Sequence, residues 1–283
     1  MHNVIKTFGI KEFNLASSDV DLRAEEIRLV GYTILPDALS LKDLEAGRAK
    51  LDRIYQTQLG EIGGFDNLKA IGDPYTAMCP LAYDDFFLSL AADRQVLAIV
   101  ERLLGEYFIL MLQNGILNVP ERGDDQTSGY WHRDLGYQHF VSSRPLGITA
   151  IHCLDEFNSK TGGTRVLPGS HRHEVFPSEE FLRAHDRGIE APAGSVILLD
   201  AMLYHRGGHN TSPGVRRAVN TTYTLPLIKQ QIDLSKALNG RHRDDPFLAR
   251  LLGYEGEIDP NVTAFRQRRL RRKLDDAPPT AAK

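Results

Sequence analysis

The chain is poor in cysteine, in tryptophan and in long apolar runs. Its 283 residues include two cysteines and one tryptophan. Two cysteines outside any Cys-x-x-Cys pair exclude a disulfide scaffold and favour a reducing, cytoplasmic location. The longest apolar run, 196–204, is interrupted by Asp200 and is too short to span a bilayer. The first residues lack the apolar stretch of a signal peptide, so we expect an intracellular globular protein.

An excess of charge of either sign is also missing. There are 34 Lys+Arg against 37 Asp+Glu, a formal net charge of -3. This balance argues against a partner that is a nucleic acid or a membrane. The strongest basic cluster, 266–273, has no aromatic residues interleaved and is interpreted as a solvated or partner-facing helix. A small-molecule substrate is the expected partner, and the oligomeric state is left open.

The pattern of apolar and turn residues changes twice along the chain, within one expected domain spanning 1–283. Residues 1–105 are predicted to be mainly helical, with helices at 22–30, from Ser40 to about Tyr55, and at 93–104. Residues 229–283 are predicted to be helical again, with a frayed tail. Between them, 106–228 contain short strand-like runs separated by turn residues, which predicts a β-sandwich or barrel. The runs are 108–119, 146–154, 164–167, 195–199, 203–205 and 218–225.

A candidate metal motif lies at 131–134, which reads Trp-His-Arg-Asp. In a strand, positions i and i+2 point to one face, so His132 and Asp134 can bind one metal. They supply two members of a 2-His-1-carboxylate triad. The spacing alone is weak evidence, since it recurs at 242–244, where we expect a solvated turn. His205, at the end of an apolar strand, is the candidate third ligand.

Other histidines and the tryptophan have simpler interpretations. His152 lies within a strand and His171 follows a turn, and both are predicted to be structural. Trp131 fits either the core or a pocket wall, and the sequence does not decide between them.

The pair Arg216–Arg217 follows a run of turn residues after His205. A strand beginning at Arg216 would direct one of the two guanidinium groups into the barrel. A buried guanidinium is costly unless it meets an anion, and a carboxylate bound through two hydrogen bonds would satisfy it. Asn114 and Asn118 share a strand face that suits a polar interior; exposure on an edge strand is the alternative for Asn114.

These residues, with the segment 162–171 (Gly-Gly-Thr-Arg-Val-Leu-Pro-Gly-Ser-His), resemble the phytanoyl-CoA dioxygenase family. Segments 25–32 and 251–254 extend the resemblance to roughly 20–255, and the second is similar to bacterial members linked to secondary metabolism. The family implies a double-stranded β-helix (a jelly-roll or cupin-like barrel) with flanking helices, dependent on Fe(II), 2-oxoglutarate and O2.

The resemblance also implies roles for individual residues. It makes His132, Asp134 and His205 the iron ligands. It favours Arg216 over Arg217 as the anchor of 2-oxoglutarate. Asn118 would touch this cosubstrate, and we group Asn114 with it.

The predicted reaction is hydroxylation of an unactivated C–H bond of a small molecule, with succinate and CO2 as co-products. Because Asp134 leaves no ligand position for chloride, hydroxylation is favoured over halogenation. Tyr130, Tyr137 and His139 are candidate substrate contacts. Two alternatives remain: a cupin-like Zn or Mn hydrolase or isomerase that does not use 2-oxoglutarate, and a catalytically silent module that binds a small ligand.

Overall fold

The computed structural model describes residues 6–14, 16–120, 129–136 and 140–275. Helix α1 (Asp19–Val30) begins after Ser18, whose side chain accepts the backbone N–H of Asp21, and ends at Gly31. Gly31 has a φ of 101°, and a Cβ there would lie 2.5 Å from Leu203 Cδ1. Both the conformation and the lack of space require glycine at this position.

Strand β1 (Tyr32–Leu35) and helix α2 (Leu41–Glu61) follow, and the helix is longer than expected. Ser40 and Asp43 form a capping box at the start of this helix. The predicted end near Tyr55 is wrong. No proline interrupts the segment after Tyr55, and the helix continues to the pair Gly63–Gly64, both of which have positive φ.

The remaining helices lie on both sides of the β region, with one inside it. A short helix, α6, lies between the predicted strand runs 164–167 and 195–199, where the sequence predicts no helix; Ser178 caps it and two glutamates occupy its first turn. The helices are α3 (Phe65–Ala70), α4 (Asp85–Ala91), α5 (Arg94–Leu104), α6 (Glu179–His185), α7 (Leu234–Ala237), α8 (Pro246–Leu251) and α9 (Val262–Asp275). No helix in the described ranges is long and apolar enough to cross a membrane.

Within the described residues, two antiparallel sheets form the β region. The further strands are β2 (Thr76–Met78), β3 (Ile109–Asn118), β4 (Gly147–Cys153), β5 (Arg165–Val166), β6 (Arg187–Gly188), β7 (Val196–Asp200), β8 (His205–Arg206) and β9 (Arg216–Thr224). The large sheet has the order β1-β7-β4-β9-β3-β2, and the small sheet has the order β6-β5-β8. A large and a small sheet facing each other form the predicted double-stranded β-helix.

One local prediction about the metal motif is wrong. His132 does not lie in a strand. It forms an isolated antiparallel bridge with His205, and Asp134 lies in a bend just after it.

The two faces of the large sheet have different environments. One face packs against the helices, as in the contacts among Tyr223, Leu198, Phe87 and Leu51. The other face lines the barrel, where an apolar cluster that includes Ile151, Ile197 and Ala218 fills part of the interior. Residues paired across neighbouring strands point to the same face. The registers Asn118↔Arg216 and Thr149↔Thr222 therefore place four polar side chains on the interior face.

Candidate active site

His132, Asp134 and His205 converge at one point of the barrel. One ligand atom from each residue lies within 4.8 Å of the other two. Asp134 Oδ1 is 3.7 Å from His132 Nε2 and 3.4 Å from His205 Nε2. The backbone bridge between the two histidines brings the three together, with N···O distances of 3.0 and 3.1 Å. Across the described part of the chain, this is the one cluster of three or more potential metal-ligating side chains.

Backbone carbonyls orient both imidazole rings. His132 Nδ1 lies 2.7 Å from the carbonyl oxygen of Tyr130, and His205 Nδ1 lies 3.0 Å from that of Leu203. We assign the ring proton to Nδ1, because only a protonated Nδ1 can donate to a carbonyl. The Nε2 lone pairs then face Asp134. Histidines that bind metals in proteins are held in this way.

Asp134 is held from two directions. Its backbone N–H donates to the carbonyl of Ala201, and its Oδ2 accepts a hydrogen bond from Thr149 Oγ1. Thr149 Oγ1 lies 2.9 Å from Thr222 Oγ1 on the next strand. Burial alone would raise the pKa of Asp134, but the neighbouring histidines and Thr149 lower this pKa overall. The carboxylate is therefore ionised, and two nitrogens with one carboxylate oxygen are the donor set that suits Fe(II).

Arg216 is the second charged group in the interior. Its Nη2 donates to the carbonyl of Gly162 at 2.9 Å, and its Cζ lies 4.2 Å from the centre of the Phe157 ring. Its Nε is buried and has no hydrogen-bond partner. Burial lowers the pKa of this guanidinium to about 10, although Cys153 and Asp155 partly oppose the effect. A buried donor without a partner fits an anionic ligand such as the distal carboxylate of 2-oxoglutarate.

Arg217 points the opposite way, as the alternation along a strand requires. It pairs with Asp52 at 2.7 Å and with Asp155 at 3.4 Å. The expectation that only one of the two arginines enters the barrel therefore agrees with the geometry.

The two predicted asparagines lie on the same interior face as Arg216. Asn118 Nδ2 donates to the carbonyls of Gly162 and Gly208, and its Oδ1 is buried without a partner. Asn114 pairs across the sheet with Asn220, and its Oδ1 is likewise buried and unpartnered. The alternative of edge exposure for Asn114 is wrong, because β3 lies between β9 and β2.

Comparison with known proteins decides the family. Residues 27–218 match the phytanoyl-CoA dioxygenase (PhyH) family. The chain belongs to this family. An uncharacterised protein of Mycobacterium tuberculosis is 30% identical over 265 residues, which cover 91% of this chain and 96% of that protein.

Solved structures show the same fold. HygX from Streptomyces hygroscopicus, with nickel and 2-oxoglutarate bound, has a TM-score of 0.58 at 18% identity and covers 76% of this chain and 90% of its own. EctD from S. alaskensis, with 2-oxoglutarate and 5-hydroxyectoine, has a TM-score of 0.60 at 20% identity, covering 73% and 76%.

These findings confirm two of the predictions made from the sequence: the PhyH family and the double-stranded β-helix. Fe(II), 2-oxoglutarate and O2 are the cofactors of PhyH enzymes, so the predicted cofactors are those of the family.

Of the other residues predicted for this PhyH chain, Tyr130 and His242 lie within the described ranges. Tyr130 immediately precedes the metal motif and is 92% exposed. Tyr137 and His139 lie outside the described residues. His242 lies in a turn, 3.2 Å from Asp85 Oδ1, and belongs to no metal-ligating cluster in the described ranges.

His152 and His171 are both buried and belong to no metal-ligating cluster in the described ranges. His171 is buried, with Nε2 3.1 Å from the carbonyl oxygen of Arg28. His152 is buried on the helix-covered side of the sheet, and neither of its ring nitrogens has a partner.

Thr149 and Thr222 belong to the site of this PhyH chain, but neither was predicted from the sequence as a site residue. Threonines are common in strands, so nothing in the local pattern distinguishes these two. Only the β4–β9 register, which pairs them directly, shows that they support the carboxylate of Asp134.

Proposed function

We propose that this chain is a non-haem Fe(II)- and 2-oxoglutarate-dependent dioxygenase that hydroxylates an unactivated C–H bond of a small molecule, with succinate and CO2 as co-products. The observation that carries the proposal is the convergence of His132 Nε2, His205 Nε2 and Asp134 Oδ1. Three protein donors would hold Fe(II) and would leave further coordination positions for the cosubstrate and O2.

When bound, Fe(II) supplies the redox activation of O2 that no amino-acid side chain provides. The protein contributes the geometry and the charge around it. Asp134 balances half of the charge of the ion, and the carbonyls behind both imidazoles keep their Nε2 atoms directed at it. Since Asp134 is a carboxylate and not a small side chain, chloride has no free ligand position, which favours hydroxylation over halogenation.

Arg216 is proposed to bind the distal carboxylate of 2-oxoglutarate. The unpartnered Nε and the buried Nη atoms offer the planar fork of donors that a carboxylate accepts from. Asn118, paired with Arg216 in the sheet register, offers a further polar contact to the same cosubstrate, and Asn114 lies further along the same face.

The test is anaerobic addition of Fe(II) and 2-oxoglutarate to the metal-free protein. Chelation of the cosubstrate to iron produces a metal-to-ligand charge-transfer band in the visible region, which we expect for the wild type. The Arg217→Lys variant is the matched control and keeps the band, since this side chain faces away from the interior. Absence of the band in the wild type would overturn the proposal.

A Zn or Mn hydrolase with the same three ligands is the competing function. It would leave Arg216 as a buried cation with no anion to bind, so the unpartnered Nε supports the oxygenase. A silent binding module is disfavoured by the complete donor set. Substrate turnover without O2 would support the hydrolase, and cosubstrate binding without any succinate would support the binding module.

We further propose a small natural-product or amino-acid-like substrate, in line with the resemblance of segment 251–254 to bacterial members linked to secondary metabolism. The small molecule 5-hydroxyectoine bound in the EctD structure supports this class. Screening the enzyme against a metabolite panel for succinate formation tests it. Succinate released only with large acyl thioesters would contradict this class.

A further inference from the structure

The side chains behind the metal ligands form two matched pairs. The antiparallel bridge joins His132 to His205, so position 131 lies opposite 206 and position 133 lies opposite 204. Side chains alternate along extended backbone, and these four therefore point away from the histidine rings. Arg133 Cζ lies 4.0 Å from the centre of the Tyr204 ring, and Arg206 Cζ lies 5.4 Å from that of Trp131. Both opposite pairs are thus cation–π contacts.

A fifth residue connects the two pairs. The Phe176 ring lies 4.8 Å from the Tyr204 ring and 6.3 Å from the Trp131 ring. We call these five residues the cation–π brace: Trp131, Arg133, Phe176, Tyr204 and Arg206. The brace is continuous across both segments that carry the metal ligands.

The buried Arg133 ties the brace to the rest of the protein. Its guanidinium donates to the carbonyls of Ser170, at 3.1 Å, and of His173. Tyr204 is anchored on the same segment, because its backbone N–H donates to Ser170 Oγ at 2.9 Å. Both partners in this pair are therefore fixed to the turn between β5 and α6.

The backbone alone holds the ligand-bearing segment weakly. Segment 131–136 is not a strand, and among the described residues the backbone hydrogen bonds that connect it to the neighbouring chain are the His132–His205 pair and the one from Asp134 to Ala201. Asp134 is one residue from Arg133, and His205 is one residue from Tyr204. A side-chain contact that fixes Arg133 over Tyr204 therefore fixes where both ligands point.

We propose that the cation–π brace positions the metal ligands, with Arg133 and Tyr204 as its principal pair. This inference rests on the proposed function, since it assumes that the three ligands bind iron. The planar guanidinium of Arg133 stacks on a ring while donating to three carbonyls, those of Phe140, Ser170 and His173, which a lysine ammonium cannot do. The Arg206–Trp131 pair is longer and less buried, so its contribution is smaller.

The only tryptophan of the chain adjoins a metal ligand and reports on binding directly. The experiment is anaerobic titration of the metal-free full chain with Fe(II), followed by quenching of Trp131 fluorescence. Loss of residues that orient metal ligands weakens metal affinity about ten- to hundredfold. We expect a loss of that size for Arg133→Lys and for Tyr204→Leu. Because both remove the same contact, the double variant loses no more than the stronger single variant.

Two controls separate positioning from general destabilisation. Arg217→Lys loses the paired hydrogen bonds to Asp52 on the opposite face of the sheet and keeps the wild-type Fe(II) affinity. Activity of Arg133→Lys returns at saturating Fe(II), with the KM for 2-oxoglutarate unchanged, because the folded variant lacks only ligand orientation. A variant that was merely misfolded would not recover in this way.

The outcomes are distinct. If Fe(II) neither binds to the wild type nor quenches Trp131, the proposed function fails. If the wild type binds and Arg133→Lys binds equally well, the positioning role is overturned. Should the variants of the principal pair not fold, Arg206→Met decides, with an expected shift in Trp131 emission and about two- to fivefold weaker Fe(II) binding. Unchanged affinity in that variant would overturn the inference.

Discussion

Replacing Arg216 with methionine is expected to stabilise the cofactor-free protein and to remove its affinity for 2-oxoglutarate. The guanidinium is fully buried, and its pKa is lowered to about 10 from 12.5. At about 1.4 kcal/mol for each pKa unit, this corresponds to roughly 3 kcal/mol by which burial disfavours the charged form. Methionine removes that penalty and retains much of the side-chain volume.

The gain is partly offset by contacts that methionine cannot make. Arg216 donates to Gly162 and stacks on Phe157, contacts together worth about 1–2 kcal/mol. The net expectation is a free energy of unfolding higher by about 1–2 kcal/mol. Two hydrogen bonds from a cation to a carboxylate are worth at least about 3 kcal/mol, so 2-oxoglutarate should bind more than about a hundredfold more weakly.

Arg217→Met is the matched control, and it should differ from Arg216→Met both in stability and in affinity for 2-oxoglutarate. Arg217 is partly exposed and pairs with Asp52 and Asp155, so its loss lowers the free energy of unfolding by about 1 kcal/mol. Its affinity for 2-oxoglutarate stays at the wild-type value, because the side chain does not enter the barrel.

Urea unfolding without cofactor and calorimetry of 2-oxoglutarate binding to the Mn(II)-loaded protein measure the two quantities separately. Wild-type affinity in Arg216→Met would refute the assignment of the anchor. A free energy of unfolding lower by more than about 2 kcal/mol in that variant would show that the Arg216 guanidinium stabilises the fold, and is not a binding group whose burial destabilises the cofactor-free protein.

Three further predictions concern the candidate ligand Asp134, the threonine pair that supports it, and the buried His152. Asp134→Gly should abolish hydroxylation and Fe(II) binding; wild-type turnover would remove Asp134 from the ligand set. Thr149→Val should weaken Fe(II) binding about tenfold, because it removes the hydrogen bond to the ligand carboxylate, whereas Thr222→Val, one step further away, should do less; equal affinities in a fluorescence titration would contradict this. Burial lowers the pKa of His152 to about 4 from 6.5, so the unfolded chain takes up a proton at a higher pH than the folded protein. The free energy of unfolding of the wild type therefore falls as the pH drops from about 6.5 to 4, and His152→Leu should lack this part of the decrease. Urea unfolding at pH 7 and pH 5 checks it, and an identical pH dependence in both proteins would be the contrary result.

Features set by local spacing could be predicted, and features set by distant pairing could not. The two-residue repeat of a strand predicts that only one of Arg216 and Arg217 points inward, and the resemblance to the PhyH family favours Arg216. The sequence left Trp131 open between core and pocket wall, because its environment depends on the bridge that pairs 131 with 206. Thr149 and Thr222 were missed for the same reason.

The motif at 131–134 shows how a correct conclusion can rest on a wrong local step. We expected His132 and Asp134 to share a strand face, yet only a single bridge pairs this segment with β8. The two side chains still converge, because Asp134 N–H donates to Ala201 and the bridge fixes His132. The tertiary contacts of a short irregular segment thus replace the regular ladder on which the spacing argument depended.

Buried polar atoms without hydrogen-bond partners help to separate side chains of the large sheet that would bind a ligand from side chains that only pack. Arg216 Nε, Asn118 Oδ1 and Asn114 Oδ1 all belong to side chains on the interior face of one sheet. An unsatisfied buried polar atom costs about 1–3 kcal/mol, so these atoms represent stability that the fold gives up where a polar cosubstrate would satisfy them. His152 also has unpartnered nitrogens, but it lies among helices on the opposite face. Asn118 and Arg216 are paired in the strand register. This pairing, and not burial alone, marks the interior face as the place where a ligand would complete the hydrogen bonding.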